Sequence, residues 1–248
     1  MRRFVMLVAA FLAMQSPLMA DDWKELFNGK DLTGWKGFPE LWSVKDGAIT
    51  GYTKDGKLPK GNSFLIWDGV VKDFELNVKF KIVGGNSGIQ YRSKVVGKPE
   101  DFVVGGYQAD IDGSKGMGFF GILYEERGRG VMTNRGAKVW VDPTGAKYEL
   151  PVTDPAELLK AIKVNDWNEY VIVAKGNHLT QTINGKVFAE TIDFQKDKRA
   201  AEGILAFQIH AGMGEMTVQF KDVKLKTLTD AKELTPESDP IPKEAKKK

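Results

Sequence analysis

The 248-residue chain is 42% hydrophobic and 28% charged, which suits one domain with a sizeable core. Its 36 Lys and Arg stand against 33 Asp and Glu, and 34 remain once Arg2 and Arg3 are set aside, so charge gives no case for nucleic acid or an anionic membrane surface. The absence of cysteine excludes disulfides, thiolate metal sites, cysteine nucleophiles and acylation of an N-terminal Cys.

Residues 1–20 have the layout of a secretory signal peptide. Arg2 and Arg3 precede an apolar run from Phe4 to Met14, and a polar stretch broken by Pro17 ends in Ala20. The run is short for a bilayer, so the expectation is an exported protein, periplasmic or extracellular, with no membrane insertion after leader removal. An uncleaved anchor is the alternative, because Leu18 stands where a small residue is preferred.

Leu26, Phe27, Leu32 and Trp35 then surround an Asn28-Gly29 turn signal. Residues 42–51 predict a hairpin about Asp46-Gly47, and 64–67 a short buried strand. Residues 74–82 alternate apolar and polar, which predicts a strand with one wet face. A strand pair is expected over 139–149, about Asp142-Pro143-Thr144-Gly145. One helix is predicted: Asp154 caps it, Pro155 opens it, Glu157 is three after the cap, and Leu158, Leu159 and Ile162 form its apolar side. Strands follow at 167–174, 179–183, 187–192, 204–211 and 216–225, with Asn184-Gly185 joining the second and third of these. Residues 229–248 lack an apolar period and are predicted to be a disordered charged tail. Many short strands, frequent turns and one helix predict an all-β antiparallel sandwich over residues 21–228. The Gly-rich stretch 113–121 lacks the Gly-Lys-Ser/Thr ending of a phosphate loop, and Gly61 is followed by Asn62 rather than Lys. Both are read as loops, the first as a mobile lip over the binding face.

Between residues 86 and 126, alternation loads one face of successive strands with polar groups. Asn86, Gln90 and Arg92 share a face opposite Ile89 and Tyr91, and Gln108, Asp110 and Asp112 share a face opposite Tyr107, Ala109 and Ile111. Tyr124 and Glu126 lie together, with Glu125 opposed to them. Short amides, carboxylates and a guanidinium in such density suit a sugar-binding wall more than a solvated surface.

Several runs together carry a family resemblance. They are Leu26-Phe-Asn-Gly-Lys-Asp-Leu-Thr-Gly-Trp35, Asn86-Ser-Gly-Ile-Gln-Tyr-Arg92, Gly106-Tyr-Gln-Ala-Asp-Ile111, Leu123-Tyr-Glu-Glu126, Trp167-Asn168, Ile183-Asn-Gly185 and Gly203-Ile-Leu-Ala-Phe-Gln-Ile-His210. In this order, over residues 24–226, the chain resembles the secreted 3-keto-disaccharide hydrolases, also described as 3-keto-glucoside 1,2-lyase / 3-keto-2-hydroxy-glucal hydratase domains. The resemblance implies a concanavalin A-like jelly-roll β-sandwich that takes an oligosaccharide or glycoside on its concave sheet. One departure is the longer, more flexible link Asp112-Gly-Ser-Lys-Gly-Met-Gly after the 106–111 run, which bears on leaving-group preference.

A 3-keto sugar has an acidic C2 proton; its removal gives an enolate that can expel the C1 substituent, and water then adds back. Such a site needs a base near neutral pKa, donors for the enolate oxygen and an acid or metal for the departing oxygen. His210 is the expected base, with Arg92, Gln108 and Gln208 orienting oxygens and Asp110 and Glu126 supplying acid or metal-ligand function. Asn86, Gln90, Tyr124 and a stacking Trp140 complete the expected sugar contacts. His178, between two strands, reads as a solvated turn residue. Asp110 and Asp112, two apart on a strand and so about 6.5–7 Å apart at Cα, admit a direct glycosidase reading with Glu126, although Gln108 cannot be a nucleophile. Nothing in the sequence requires a cofactor; Asp110 and Asp112 followed by Gly113 offer hard oxygens to Ca²⁺ or a similar divalent ion, without a full ligand set. The alternatives from other classes are a non-catalytic carbohydrate-binding module of the same fold and a protein–protein adhesion domain.

Overall fold

The computed structural model describes residues 23–248, so the leader expected at 1–20 lies outside the described residues. Two sheets pack face to face as the jelly-roll β-sandwich expected from the sequence. The sheet that carries the site has seven strands in the order Gly130–Thr133, Leu123–Glu126, Val104–Asp112, Asn86–Val95, Ile204–Ile209, Ser63–Trp67 and Trp35–Lys36, each antiparallel to its neighbour. The back sheet has eleven strands, with the long pair Phe74–Val83 and Met216–Thr227 near its middle.

Period-two alternation sorts these strands into core and exterior. In Phe74–Val83 every odd position from Phe74 is buried and every intervening one is partly or fully exposed. In Val104–Asp112, Tyr107, Ala109 and Ile111 join the inter-sheet core. Phe207 of the site sheet stacks on Phe220 of the back sheet with ring centroids 3.9 Å apart and on Trp35 at 4.9 Å. Burying one such ring contributes roughly 1.5–3 kcal/mol, so this column pins the strand that carries Gln208.

Three features depart from the sequence reading. Ala137–Val141 runs parallel to Lys186–Asp193, an exception to the antiparallel pattern. The helix is a single turn, Pro155–Leu159, whose cap is Asp154 accepting from the Ala156 N–H at 2.9 Å, and Ile162 lies beyond it. The tail at 229–248 is not disordered but packs on the back sheet. Leu234, Ile241 and Ala245 cover Trp140, Ile192 and Phe194, and Lys246–Lys247 pairs with Tyr148 and Glu149. Its apolar residues are too sparse for a periodic signal, yet the patch beneath needs a cover. Among the described residues no helix is long and apolar enough to cross a membrane.

Candidate active site

On the face of the seven-stranded sheet turned away from the core, a cavity of about 250 Å³ brings together Asn86, Gln108, Asp110, Tyr124, Glu126 and His210. Antiparallel register explains the cluster: Gly88 lies opposite Asp110, and Gln108 opposite Tyr124, on consecutive strands. Gly88 has a steric reason to be glycine, since a Cβ there would meet Gln108 Cγ at 2.5 Å. Three further lining residues, Asn62, Phe119 and Met213, come from loops.

Asp110 is the centre of this arrangement and is 4% exposed. Asn86 Nδ2 donates to its Oδ1 at 2.8 Å and Gln108 Nε2 to its Oδ2 at 3.2 Å. The amides are themselves oriented: Ser93 Oγ donates to Gln90 Oε1 at 2.7 Å, and Gln90 Nε2 donates to Gln108 Oε1 at 2.8 Å, which turns the Gln108 amide N–H toward Asp110. Burial pushes the Asp110 pKa up to about 7, against the opposing pull of the two amide donors and with help from the charges of Asp112 and Glu126. A carboxyl in that range can give or take a proton near neutral pH.

His210 follows the last residue of Ile204–Ile209, and its backbone N–H donates to Asn86 O at 3.1 Å. Its Nδ1 lies 2.7 Å from Ala211 O. A carbonyl only accepts, so Nδ1 carries the proton and neutral His210 keeps its lone pair on Nε2. The neighbouring Ala211 N–H donates to Asn62 Oδ1 at 3.0 Å, so Asn62 braces the histidine turn. Glu126 accepts from Gln208 Nε2 at 3.4 Å and from Asn62 Nδ2 at 3.5 Å, long contacts that leave its oxygens free to bind other groups. Gln208 is fully buried, and its Oε1 has no donor among the described residues.

Other residues expected at the site lie elsewhere. Arg92 does not reach the cavity. The register shifts between Tyr91 and Lys94, Arg92 adopts φ 46°, and the side chain turns off the polar face. Its guanidinium donates to Lys72 O and Gly176 O, both at 2.6 Å, and to Asp73 Oδ1 at 3.0 Å. Trp140 belongs to the back sheet, where it is 2% exposed beneath the tail and its Nε1 donates to Asp239 Oδ1 at 3.1 Å, so it is no stacking platform. Gln90 stands behind the cavity as the brace of Gln108 rather than as a sugar contact. His178 pairs with Glu190 at 2.8 Å. Glu125 turns away from Glu126 and is gripped by Arg129 at 2.6 Å.

Asp112 is committed to the backbone. Its Oδ1 accepts from Ser114 N and its Oδ2 from Phe119 N, both at 2.9 Å, which ties down the loop 113–121. It is therefore unsuited to be a second catalytic carboxylate or a metal ligand beside Asp110. No group of three or more His, Cys, Asp or Glu with metal-binding geometry occurs among the described residues. With both Asp112 oxygens accepting from backbone N–H groups, Asp110 and Asp112 do not present a pair of free carboxylates to Ca²⁺.

Asn62, Phe119 and Met213 were not singled out from the sequence as site residues. They lie in loops, where no periodicity assigns a face; the only sequence signal is glycine beside them, on both sides of Met213 and before Asn62 and Phe119.

Comparisons with known proteins bear on the family and the fold. Residues 22–226 match the family described as 3-keto-alpha-glucoside-1,2-lyase-like domain. A 3-keto-disaccharide hydrolase of Bacteroides thetaiotaomicron is 34% identical over 96 residues, a match covering 34% of this chain and 32% of that protein. The chain therefore spans about a third of the length of that curated relative. Among solved structures, a Parabacteroides distasonis protein described as a candidate glycosyl hydrolase superposes with TM-score 0.52 at 20% identity, covering 83% of this chain and 99% of that one. The carbohydrate-binding module CBM66 of Bacillus subtilis gives TM-score 0.51 at 16% identity, with 78% and 96% covered. A Bacillus subtilis protein with a galectin-like fold gives 0.51 at 10% identity, with 83% and 89% covered. At these identities the structures share the fold alone.

Proposed function

The chain belongs to the family of 3-keto-alpha-glucoside-1,2-lyase-like domains, and from that premise we propose that it hydrolyses 3-keto-disaccharides or 3-keto-glucosides by eliminating the C1 substituent and adding water back. The observation that carries this reading is Asp110: a buried carboxyl poised at about pH 7 in the same cavity as His210 and Glu126. Elimination needs a base for the C2 proton and an acid for the departing oxygen; His210 offers the lone pair on Nε2, and Asp110, with its pKa at about 7, offers the proton.

In the proposed sequence His210 Nε2 takes the C2 proton, and the electrons of the C2–H bond pass into the enolate of the 3-ketone. With Arg92 committed elsewhere, the Asn62 amide and the Tyr124 hydroxyl are the cavity donors available to that oxygen. Collapse of the enolate forms the C1–C2 double bond and breaks the bond from C1 to the leaving oxygen, which receives the proton of neutral Asp110. Water then adds to C1 of the resulting enone, losing its proton to Asp110, while His210 returns a proton to C2. The sum is hydrolysis, with both residues restored. Asn86 and Gln108 hold Asp110, and Gln208 and Asn62 hold Glu126. The leader expected at 1–20 makes export, to the periplasm or beyond, part of the proposal.

A non-catalytic carbohydrate-binding module is the second reading, favoured by the fold shared with CBM66. One experiment separates the two. A 3-keto-glucoside with a chromogenic leaving group is incubated with the protein in deuterated water. The proposal expects release with deuterium at C2, abolished in His210→Ala. Release without exchange at C2 would mean direct displacement, and saccharide binding with no release from any keto sugar would mean a module.

A further inference from the structure

Phe119 is 51% exposed and Met213 40% exposed, and both line the cavity that holds Asp110. The other exposed large hydrophobic side chains among the described residues are Tyr52 and six valines, none of which borders that cavity. Two large apolar groups are thus left in water at one polar site, from two separate loops.

Neither is exposed for want of anchoring. The Phe119 N–H donates to Asp112 at 2.9 Å, and Arg135 Nη1 donates to Met117 O at 2.9 Å and Phe120 O at 2.7 Å. The next ring, Phe120, is 2% exposed in the core, so the chain buries one phenylalanine and presents the other. Met213 stands on a turn between Gly212 and Gly214, at φ 74° and 75°. That turn is laid on Gly56: Gly212 N donates to Gly56 O at 2.8 Å, and a Cβ on Gly56 would come within 2.9 Å of Met213 N.

The cavity therefore has two chemistries. Its amides, carboxylates and imidazole match a hydroxylated ring, and its volume of about 250 Å³ is that of a single-ring site. Those groups and the apolar pair line one cavity, so a ring held by the first lies beside the second. Phenylalanine offers a flat apolar face, and methionine adapts its shape to an irregular one. Resting on the keto-glycoside reading above, we propose that Phe119 and Met213 form the leaving-group subsite and select substrates with an apolar aglycone over those whose C1 substituent is a second hydroxylated sugar.

The test compares methyl 3-keto-glucoside, 2-cyclohexylethyl 3-keto-glucoside and a 3-keto-disaccharide. The first two release alcohols of comparable acidity, so a difference between them reports apolar contact rather than leaving-group chemistry. The cyclohexylethyl substrate is expected to have the higher kcat/KM by about tenfold, mainly through KM. In the Phe119→Ala/Met213→Ala double variant that ratio falls to near one. A ratio near one in the wild type, a ratio that survives the double variant, or an equal loss with the disaccharide would overturn the subsite. If no keto-glycoside turns over, the hydrolase reading fails by itself. The subsite then stands if the ordinary cyclohexylethyl glucoside binds more tightly than methyl glucoside in the wild type alone, and falls if it does not.

Discussion

Asn86 and Asp110 sit on adjacent antiparallel strands, and the amide of one donates to the carboxylate of the other at 2.8 Å in the lining of the cavity. The bond favours ionised Asp110, yet burial outweighs it and the pKa stands at about 7. In Asn86→Ala the ionised form loses a donor, so the pKa moves further up, by on the order of one unit. If neutral Asp110 is the acid, activity falls as pH rises through its pKa. The alkaline limb of kcat/KM should then shift to higher pH in the variant. A limb that stays in place would assign that titration to another group.

The same burial makes Asp110 a cost to folding. Its folded-state pKa of about 7 lies above the ordinary 3.8, so the folded protein holds this proton more tightly than the unfolded chain. The resulting stabilisation is full below the ordinary value and is lost as pH rises from about 4 to about 7. Above that, ionised Asp110 costs on the order of a few kcal/mol relative to its neutral form. Asp110→Asn imitates the neutral form at every pH. It should therefore gain in urea midpoint over wild type at pH 8 and not at pH 4.5, while losing keto-glucoside turnover. An equal difference at the two pH values would show that Asp110 titrates as an ordinary carboxyl.

Alternation was a reliable guide where strands are regular. Gln108 and Asp110 face the cavity, and Tyr107, Ala109 and Ile111 the core, because Val104–Asp112 keeps register with Asn86–Val95 from Asp112 to Tyr107. It failed at Arg92, two residues past Gln90, because a positive φ at a bulge inverts the facing of everything after it, and period two carries no mark of a bulge. The commitment of Asp112 to Ser114 and Phe119 was hidden for another reason. A carboxylate that caps a loop and one that binds a ligand look alike until the loop's backbone path is known. Likewise the Asp110 pKa depends on its burial in the folded sheet, which no local sequence pattern reports.

Arg92 is turned toward the back sheet, and its removal should therefore cost stability rather than activity. Its guanidinium joins the site sheet to the Gly176 turn of the back sheet and pairs with Asp73, which also accepts from Gly176 N at 2.6 Å. Arg92→Ala leaves Asp73 and the carbonyls of Lys72 and Gly176 without that partner. The expected cost is about 3 kcal/mol or more, read as a fall in urea midpoint. Turnover per folded molecule should stay at the wild-type value. A stable Arg92→Ala protein with depressed kcat would return the guanidinium to the chemistry.

The tail offers a clean contrast between composition and packing. Residues 229–248 are charged and aperiodic, yet Leu234 N donates to Asn177 Oδ1 at 2.7 Å, and Ile241 joins the cluster around buried Trp140. Ile241→Asp would put a carboxylate into that apolar cluster, and the desolvation cost should release the segment. The variant is expected to lose about 1–2 kcal/mol in urea denaturation and to become sensitive to proteolysis after Lys232, with keto-glucoside turnover intact. Were the segment disordered in solution, as its composition alone suggests, the substitution would change neither quantity. Proteolysis of the wild type and the variant at equal rates would decide for composition.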